Sequence, residues 1–89
     1  MKVIIYSKNN CIYCSKAKTM LNSLGIEFTE KKFEDFKSVD DMLDDIGKKV
    51  KTMPQIKIDG ELIGGYHQLV EHLDDKGLCN FKGEKIEQR

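Results

Sequence analysis

The 89-residue chain is 39% hydrophobic and 34% charged, which suits one small globular core and leaves too little length for a second domain. Fifteen basic residues balance fifteen acidic ones, for a net charge of zero, which argues against nucleic acid or an anionic membrane as the principal partner. The longest apolar run, Val3-Ile4-Ile5-Tyr6, falls far short of the roughly 20 residues that span a bilayer, and Lys2 before it introduces no signal-peptide core, so the chain reads as soluble and cytoplasmic.

That first run is rich in β-branched residues and predicts a strand covered on both faces. Ser7-Lys8-Asn9-Asn10 breaks it. From about Cys11 the spacing becomes helical, with Ala17, Met20, Leu21 and Leu24 on one face and Gly25 as the cap. Ile26 and Phe28 then alternate with Glu27 and Thr29, as in a half-buried strand. Ser38, followed by Asp41, opens a second helix whose apolar positions Val39, Met42, Leu43 and Ile46 run to Gly47. Gln55-Ile56-Lys57-Ile58 and Glu61-Leu62-Ile63 flank Asp59-Gly60, a pair that tolerates positive φ and so predicts a tight antiparallel hairpin. After Gly64-Gly65, Leu69, Val70 and Leu73 mark a last helix running to about Lys76 and ending at Gly77. The order is β-α-β-α-β-β-α. The first two strands should pair in parallel across a right-handed crossover, the hairpin should join the same sheet antiparallel, and helices should cover both faces. Residues 1–81 form the expected single domain; 82–89 are almost wholly polar and are expected to fray.

Three cysteines, Cys11, Cys14 and Cys79, cannot all pair within one chain, so a secreted disulfide framework is excluded. In a reducing compartment a C-x-x-C pair serves catalysis or metal binding more often than structure. Cys11-Ile12-Tyr13-Cys14 lies where the first strand hands over to the first helix. Unsatisfied N–H groups and the positive end of the helix dipole there favour a thiolate. Lys8, three residues earlier, adds a positive charge. Cys11 should be the outer nucleophile, and Cys14, one turn along, the shielded thiol that attacks a mixed disulfide on Cys11. The competing reading is half of a zinc site completed by His67, His72 or Cys79. The two histidines, five residues apart, would stand about 140° apart around a helix and face different ways.

Lys8-Asn9-Asn10-Cys11-Ile12-Tyr13-Cys14 with Ala17-Lys18 behind it, then Thr52-Met53-Pro54, then Gly64-Gly65, resemble the glutaredoxin family in order and spacing, from residue 2 to about 76. The resemblance implies an α/β, thioredoxin-like (glutaredoxin) fold: a four-stranded mixed sheet flanked by three helices. It implies a cis bond before Pro54, with the Met53 main chain pairing to the cysteinyl part of glutathione. Lys8, Tyr13, Lys51, Thr52, Gly65, Tyr66, His67 and Gln68 match positions that border glutathione in the family. Two departures stand out. Ile12 replaces a common proline, and His67 and Gln68 stand where an acidic or hydroxyl-bearing side chain is usual, so the γ-glutamyl ammonium lacks its carboxylate.

By this reading the chain is a thiol–disulfide oxidoreductase with Cys11 and Cys14 as catalytic residues, no metal and no tightly bound cofactor. The resemblance implies glutathione as reductant and co-substrate, a monomer, and a disulfide-bearing protein partner such as a ribonucleotide reductase. Two alternatives stay open: a thioredoxin-like reductase served by a thioredoxin reductase, and a metal or iron–sulfur binding protein. Family members of the iron–sulfur type typically carry Cys-Gly-Phe-Ser, unlike the Tyr13-Cys14 ending here. Cys79 matches no motif and reads as a spare thiol, and His72 as a surface helix residue.

Overall fold

A computed structural model describes residues 1–77; Cys79 and the tail 82–89 lie outside them. The elements follow as β1 (Val3–Ser7), α1 (Ile12–Ser23), β2 (Phe28–Lys32), a 3-10 turn (Phe33–Asp35), α2 (Val39–Ile46), β3 (Gln55–Ile58), β4 (Glu61–Gly64) and α3 (Tyr66–Asp75). The sheet order is β2-β1-β3-β4. β1 pairs in parallel with β2, Val3 opposite Phe28, and antiparallel with β3, Ile5 opposite Ile56.

The pleat of β1 sends alternate side chains to opposite faces. Val3 and Ile5 join Ala17 and Leu21 of α1, Ile56 of β3, and Leu69 and Leu73 of α3 in the larger core. Tyr6 faces the other way, against Met42 and Ile46 of α2, with Ile4, Phe36 and Leu62 partly buried around them. Each fully buried aliphatic side chain of this kind is worth about 1.5–3 kcal/mol. The expected three-layer arrangement is therefore present, with α1 and α3 on one face and α2 on the other.

Local chemistry explains the borders. Ser38 accepts the Asp41 N–H at 3.2 Å as N-cap of α2, and Gly47 ends that helix at φ +90°. Asp59 and Gly60 both take positive φ, +52° and +84°, as the turn between β3 and β4 requires. Three details depart from expectation. β2 begins at Phe28 rather than Ile26 and runs on through Glu30-Lys31-Lys32, because register with β1, not alternation, fixes its ends. Val39 stands at the first helical position of α2, 53% exposed, and takes no part in its buried face. His72 is half-buried rather than on the surface; its Nε2 is enclosed, with no hydrogen-bond partner among the described residues.

Candidate active site

The turn from β1 into α1 places the cysteine pair. Ser7 closes β1 fully buried. Asn10 then takes φ +54°, a left-handed conformation that asparagine accepts more readily than most residues. Cys11 follows in extended conformation as the N-cap of α1, and its Sγ accepts the Cys14 N–H at 3.2 Å. The sulfur thus fills the place that a Ser or Asp oxygen usually takes. The first turn of α1 contains no acidic residue, so the helix dipole and this N–H act on Cys11 Sγ unopposed within the turn. Both effects stabilise negative charge there.

Cys11 and Cys14 are joined by a disulfide, with Cα atoms 5.2 Å apart. The chain is thus described in its oxidised form. Cys11 is half-buried and Cys14 is 1% exposed, so an incoming thiol reaches Cys11 first. Cys11 is thus the outer and Cys14 the inner sulfur of the pair.

One wall of the site is the segment before β3. The Met53–Pro54 bond is cis, and the Met53 carbonyl oxygen lies 3.6 Å from Cys11 Sγ. Thr52 braces this segment, its carbonyl and hydroxyl oxygens accepting from the Gln55 amide at 2.9 and 3.3 Å. The β4–α3 junction lies beside it: a Cβ on Gly65 would stand 3.5 Å from the Pro54 carbonyl oxygen. There the Gly65 N–H donates to Gln68 Oε1 at 3.0 Å, so the side-chain carbonyl of Gln68 is already engaged. Tyr13, 46% exposed, does not pack on the sheet. Its ring meets Tyr66 and His67 at 5.9 and 5.5 Å between centroids, and Lys16 Nζ stands 5.2 Å from its centre. Lys51 is exposed two residues before Met53.

The other wall combines Lys8 with residues that the sequence does not link to the site. An open cleft lined by both cysteines is also lined by Lys8, Lys18, Glu30 and Lys32. Lys8, expected at the site, lines this cleft together with both cysteines. Ser7 Oγ donates to Glu30 Oε2 at 2.6 Å, and Lys18 Nζ donates to the same oxygen at 2.8 Å. Burial pushes the Glu30 carboxyl up, but the bonds from Lys18 and Ser7 and the charges of Lys18 and Lys32 outweigh it and hold it below its ordinary range. No group of three or more His, Cys, Asp or Glu side chains could hold a metal ion among the described residues, and no described helix is long and apolar enough to cross a membrane.

Comparison with known proteins agrees with this geometry. The glutaredoxin family model matches residues 3–63. Glutaredoxin 3 of Escherichia coli strain K12 is 38% identical over 76 residues, covering 84% of this chain and 88% of that one. Among solved structures, Glutaredoxin 1 from Francisella tularensis, complexed with cacodylate, superposes with a TM-score of 0.71 at 35% identity, covering 86% of this chain and 95% of that one. The buckwheat glutaredoxin–glutathione complex gives 0.66 at 26% identity, covering 84% and 69%.

Proposed function

Because the chain belongs to the glutaredoxin family of thiol–disulfide oxidoreductases, we propose that it reduces protein disulfides and protein–glutathione mixed disulfides at the expense of glutathione. The observation that carries this reading is the asymmetry of the cysteine pair. Cys11 is reachable and capped by an N–H, whereas Cys14 lies one turn behind and is buried.

In the cycle, the Cys11 thiolate attacks a glutathione mixed disulfide at the glutathione sulfur. A Cys11–glutathione disulfide forms and the substrate cysteine leaves as thiolate. A second glutathione thiolate then attacks that sulfur, which regenerates Cys11 and releases oxidised glutathione. With a protein disulfide, Cys14 attacks the mixed disulfide instead, and glutathione later reduces the Cys11–Cys14 bond. The Met53 main chain supports the cysteinyl part of the bound tripeptide, with recognition that does not depend on the side chains of the substrate. Thr52, Pro54, Gly65 and Tyr66 would border the same bound tripeptide, and Tyr13 its sulfur. The free N–H groups of His67 and Gln68 at the start of α3 suit the γ-glutamyl carboxylate, and Lys8 and Lys51 suit the glycine carboxylate. The glutathione bound to the buckwheat relative supports this assignment. The protein would work as a monomer in the cytosol, where glutathione keeps such a cycle running, with a ribonucleotide reductase among its candidate protein substrates.

A coupled assay on the oxidised chain tests the reading. Glutathione with glutathione reductase should sustain turnover of a small mixed disulfide, and a thioredoxin reductase should not. Cys11→Ser should abolish activity with every substrate. Cys14→Ser should retain part of the activity toward glutathione mixed disulfides, because glutathione replaces the resolving thiol. Turnover with thioredoxin reductase alone would transfer the chain to the other electron donor, and equal loss in both variants would mean an obligatory dithiol route.

A further inference from the structure

Of the second wall of the site, the cycle uses Lys8 alone. Yet a buried hydroxyl and an ion pair meet there on one carboxylate oxygen: Ser7 Oγ at 2.6 Å and Lys18 Nζ at 2.8 Å from Glu30 Oε2. The ion pair is sheltered, with side chains 31% and 22% exposed. Both cysteines line the same cleft, and Glu30 is the only acid among the described residues that do, against Lys8, Lys18 and Lys32. Lys18 follows Cys14 by four residues on α1, which puts the two on one helix face.

Charge on this wall acts on only one side of the redox equilibrium. In the reaction Cys11–S–S–Cys14 + 2 GSH → Cys11–S⁻ + Cys14–SH + GSSG + H⁺, the disulfide is uncharged and the reduced pair carries a thiolate. Lysines near the sulfurs therefore pull the couple toward the dithiol, and a carboxylate pushes it back.

We propose that Glu30, anchored by Ser7, is a positioning residue that acts through Lys18: it draws Lys18 to β2 and cancels its charge, which keeps the Cys11–Cys14 couple more reducing than the lysine-lined cleft alone would allow. The proposal rests on the cycle above. It also gives the polar half of β2 a purpose that strand formation does not require.

The test equilibrates the full chain in buffers of reduced and oxidised glutathione and counts free thiols by alkylation and mass spectrometry. Glu30→Gln keeps an oxygen for Ser7 and Lys18 but removes the charge. It should move the equilibrium about fivefold toward the dithiol, the scale of one charge felt through a partly wet boundary, or roughly 20 mV for two electrons. Lys18→Met should move it the opposite way, and the double variant should return to within about twofold of the parent, as coupled charges require. Glu34→Gln, an exposed acid that does not line the cleft, should change nothing. Urea unfolding of oxidised and reduced forms separates a merely structural role, which lowers both midpoints and leaves the thiol equilibrium alone. A Glu30→Gln equilibrium indistinguishable from the parent, or a shift of both single variants in the same direction, overturns the role of Glu30 while leaving the cycle standing. A parent disulfide that glutathione cannot reduce overturns the cycle and this inference together.

Discussion

A cysteine at a helix N-cap has a different value from a serine there. A hydroxyl ends as a stabilising cap, whereas Cys11 Sγ receives the Cys14 N–H at 3.2 Å and can still leave that contact to react. Gln68 shows the reverse economy. Its Oε1 accepts from Gly65 N–H at 3.0 Å, so the group of this exposed side chain left for another partner is its amide N–H₂, a donor, beside the backbone donors that open α3. On the glutathione reading proposed above, this end of α3 would meet the γ-glutamyl carboxylate with donors and leave the ammonium next to it without a carboxylate. Gln68→Asp should supply the missing charge. One charge-assisted contact at an exposed position is worth on the order of 1 kcal/mol, or several-fold in KM for a glutathione mixed disulfide. The kcat should hardly move, because the reacting sulfurs are untouched. Steady-state kinetics across a series of glutathionylated peptides gives the answer: a KM that stays or rises throughout would show that position 68 does not read the ammonium.

At the level of elements, the β4–α3 junction has the least room to change. Gly64 takes φ +123°, and a Cβ there would stand 3.0 Å from Gln68 Cγ and 3.2 Å from its Cβ. Gly64→Ala therefore combines backbone strain with a clash against the residue that caps α3. It should cost about 1–3 kcal/mol, whereas Gly47→Ala, with open space around the added methyl, should carry only the strain of its own positive φ. Urea unfolding of the two variants side by side checks the order; a Gly64→Ala loss no larger than that of Gly47→Ala would mean that Gln68 moves aside freely. Elements of this kind were legible in the sequence where their chemistry is local, as at Ser38, Asp59-Gly60 and the cysteine pair ahead of α1. The apolar alternation puts the start of β2 at Ile26, two residues early, because the strand's second half is Glu30-Lys31-Lys32, charged residues on an edge strand that leave no apolar period to read. The same charges carry the part of the site that sequence reasoning missed. Glu30 meets Lys18 from 12 residues away and Ser7 from 23, and no spacing rule links a strand glutamate to either. Asp35, which accepts the Lys32 N–H at 3.0 Å, fixes the 3-10 turn in an equally silent way.

Over the whole molecule the two faces of the sheet are held by different means. Among the described residues, the side bearing α1 and α3 buries ten in one cluster, and the side bearing α2 only three. The lighter side is reinforced by polar ties through a single residue. The Asp45 carboxylate accepts from Tyr6 Oη of β1 at 2.7 Å and from Lys31 Nζ of β2 at 2.9 Å, while its backbone carbonyl accepts from Lys57 Nζ of β3 at 2.7 Å. A core closed this way should respond to pH at both ends. The hydrogen bond from Tyr6, then that from Lys31, hold the Asp45 carboxyl below its ordinary 3.8, and Glu30 lies below its ordinary 4.5. Folding therefore lowers the proton affinity of both groups. Their contribution is complete above those ordinary values and is lost as pH falls through the lower folded ones. Tyr6 is the opposite case. Burial, then the bond to Asp45 and its charge, raise the Tyr6 hydroxyl well above its ordinary 10.0, so its contribution is complete below 10.0 and drains away as pH rises beyond it. Urea midpoints of the oxidised protein, in which neither Cys11 nor Cys14 titrates, should thus form a plateau with an acid limb below about pH 4.5 and an alkaline limb above about pH 10. Asp45→Asn should lower the plateau and shorten the acid limb to what Glu30 supplies. Tyr6→Phe should lower the plateau and flatten the alkaline limb while keeping part of the acid one, since Lys31 still faces Asp45. An alkaline limb of unchanged height in Tyr6→Phe would assign that loss to lysine deprotonation, with Lys31 and Lys57 rather than Tyr6 tying α2 to the sheet.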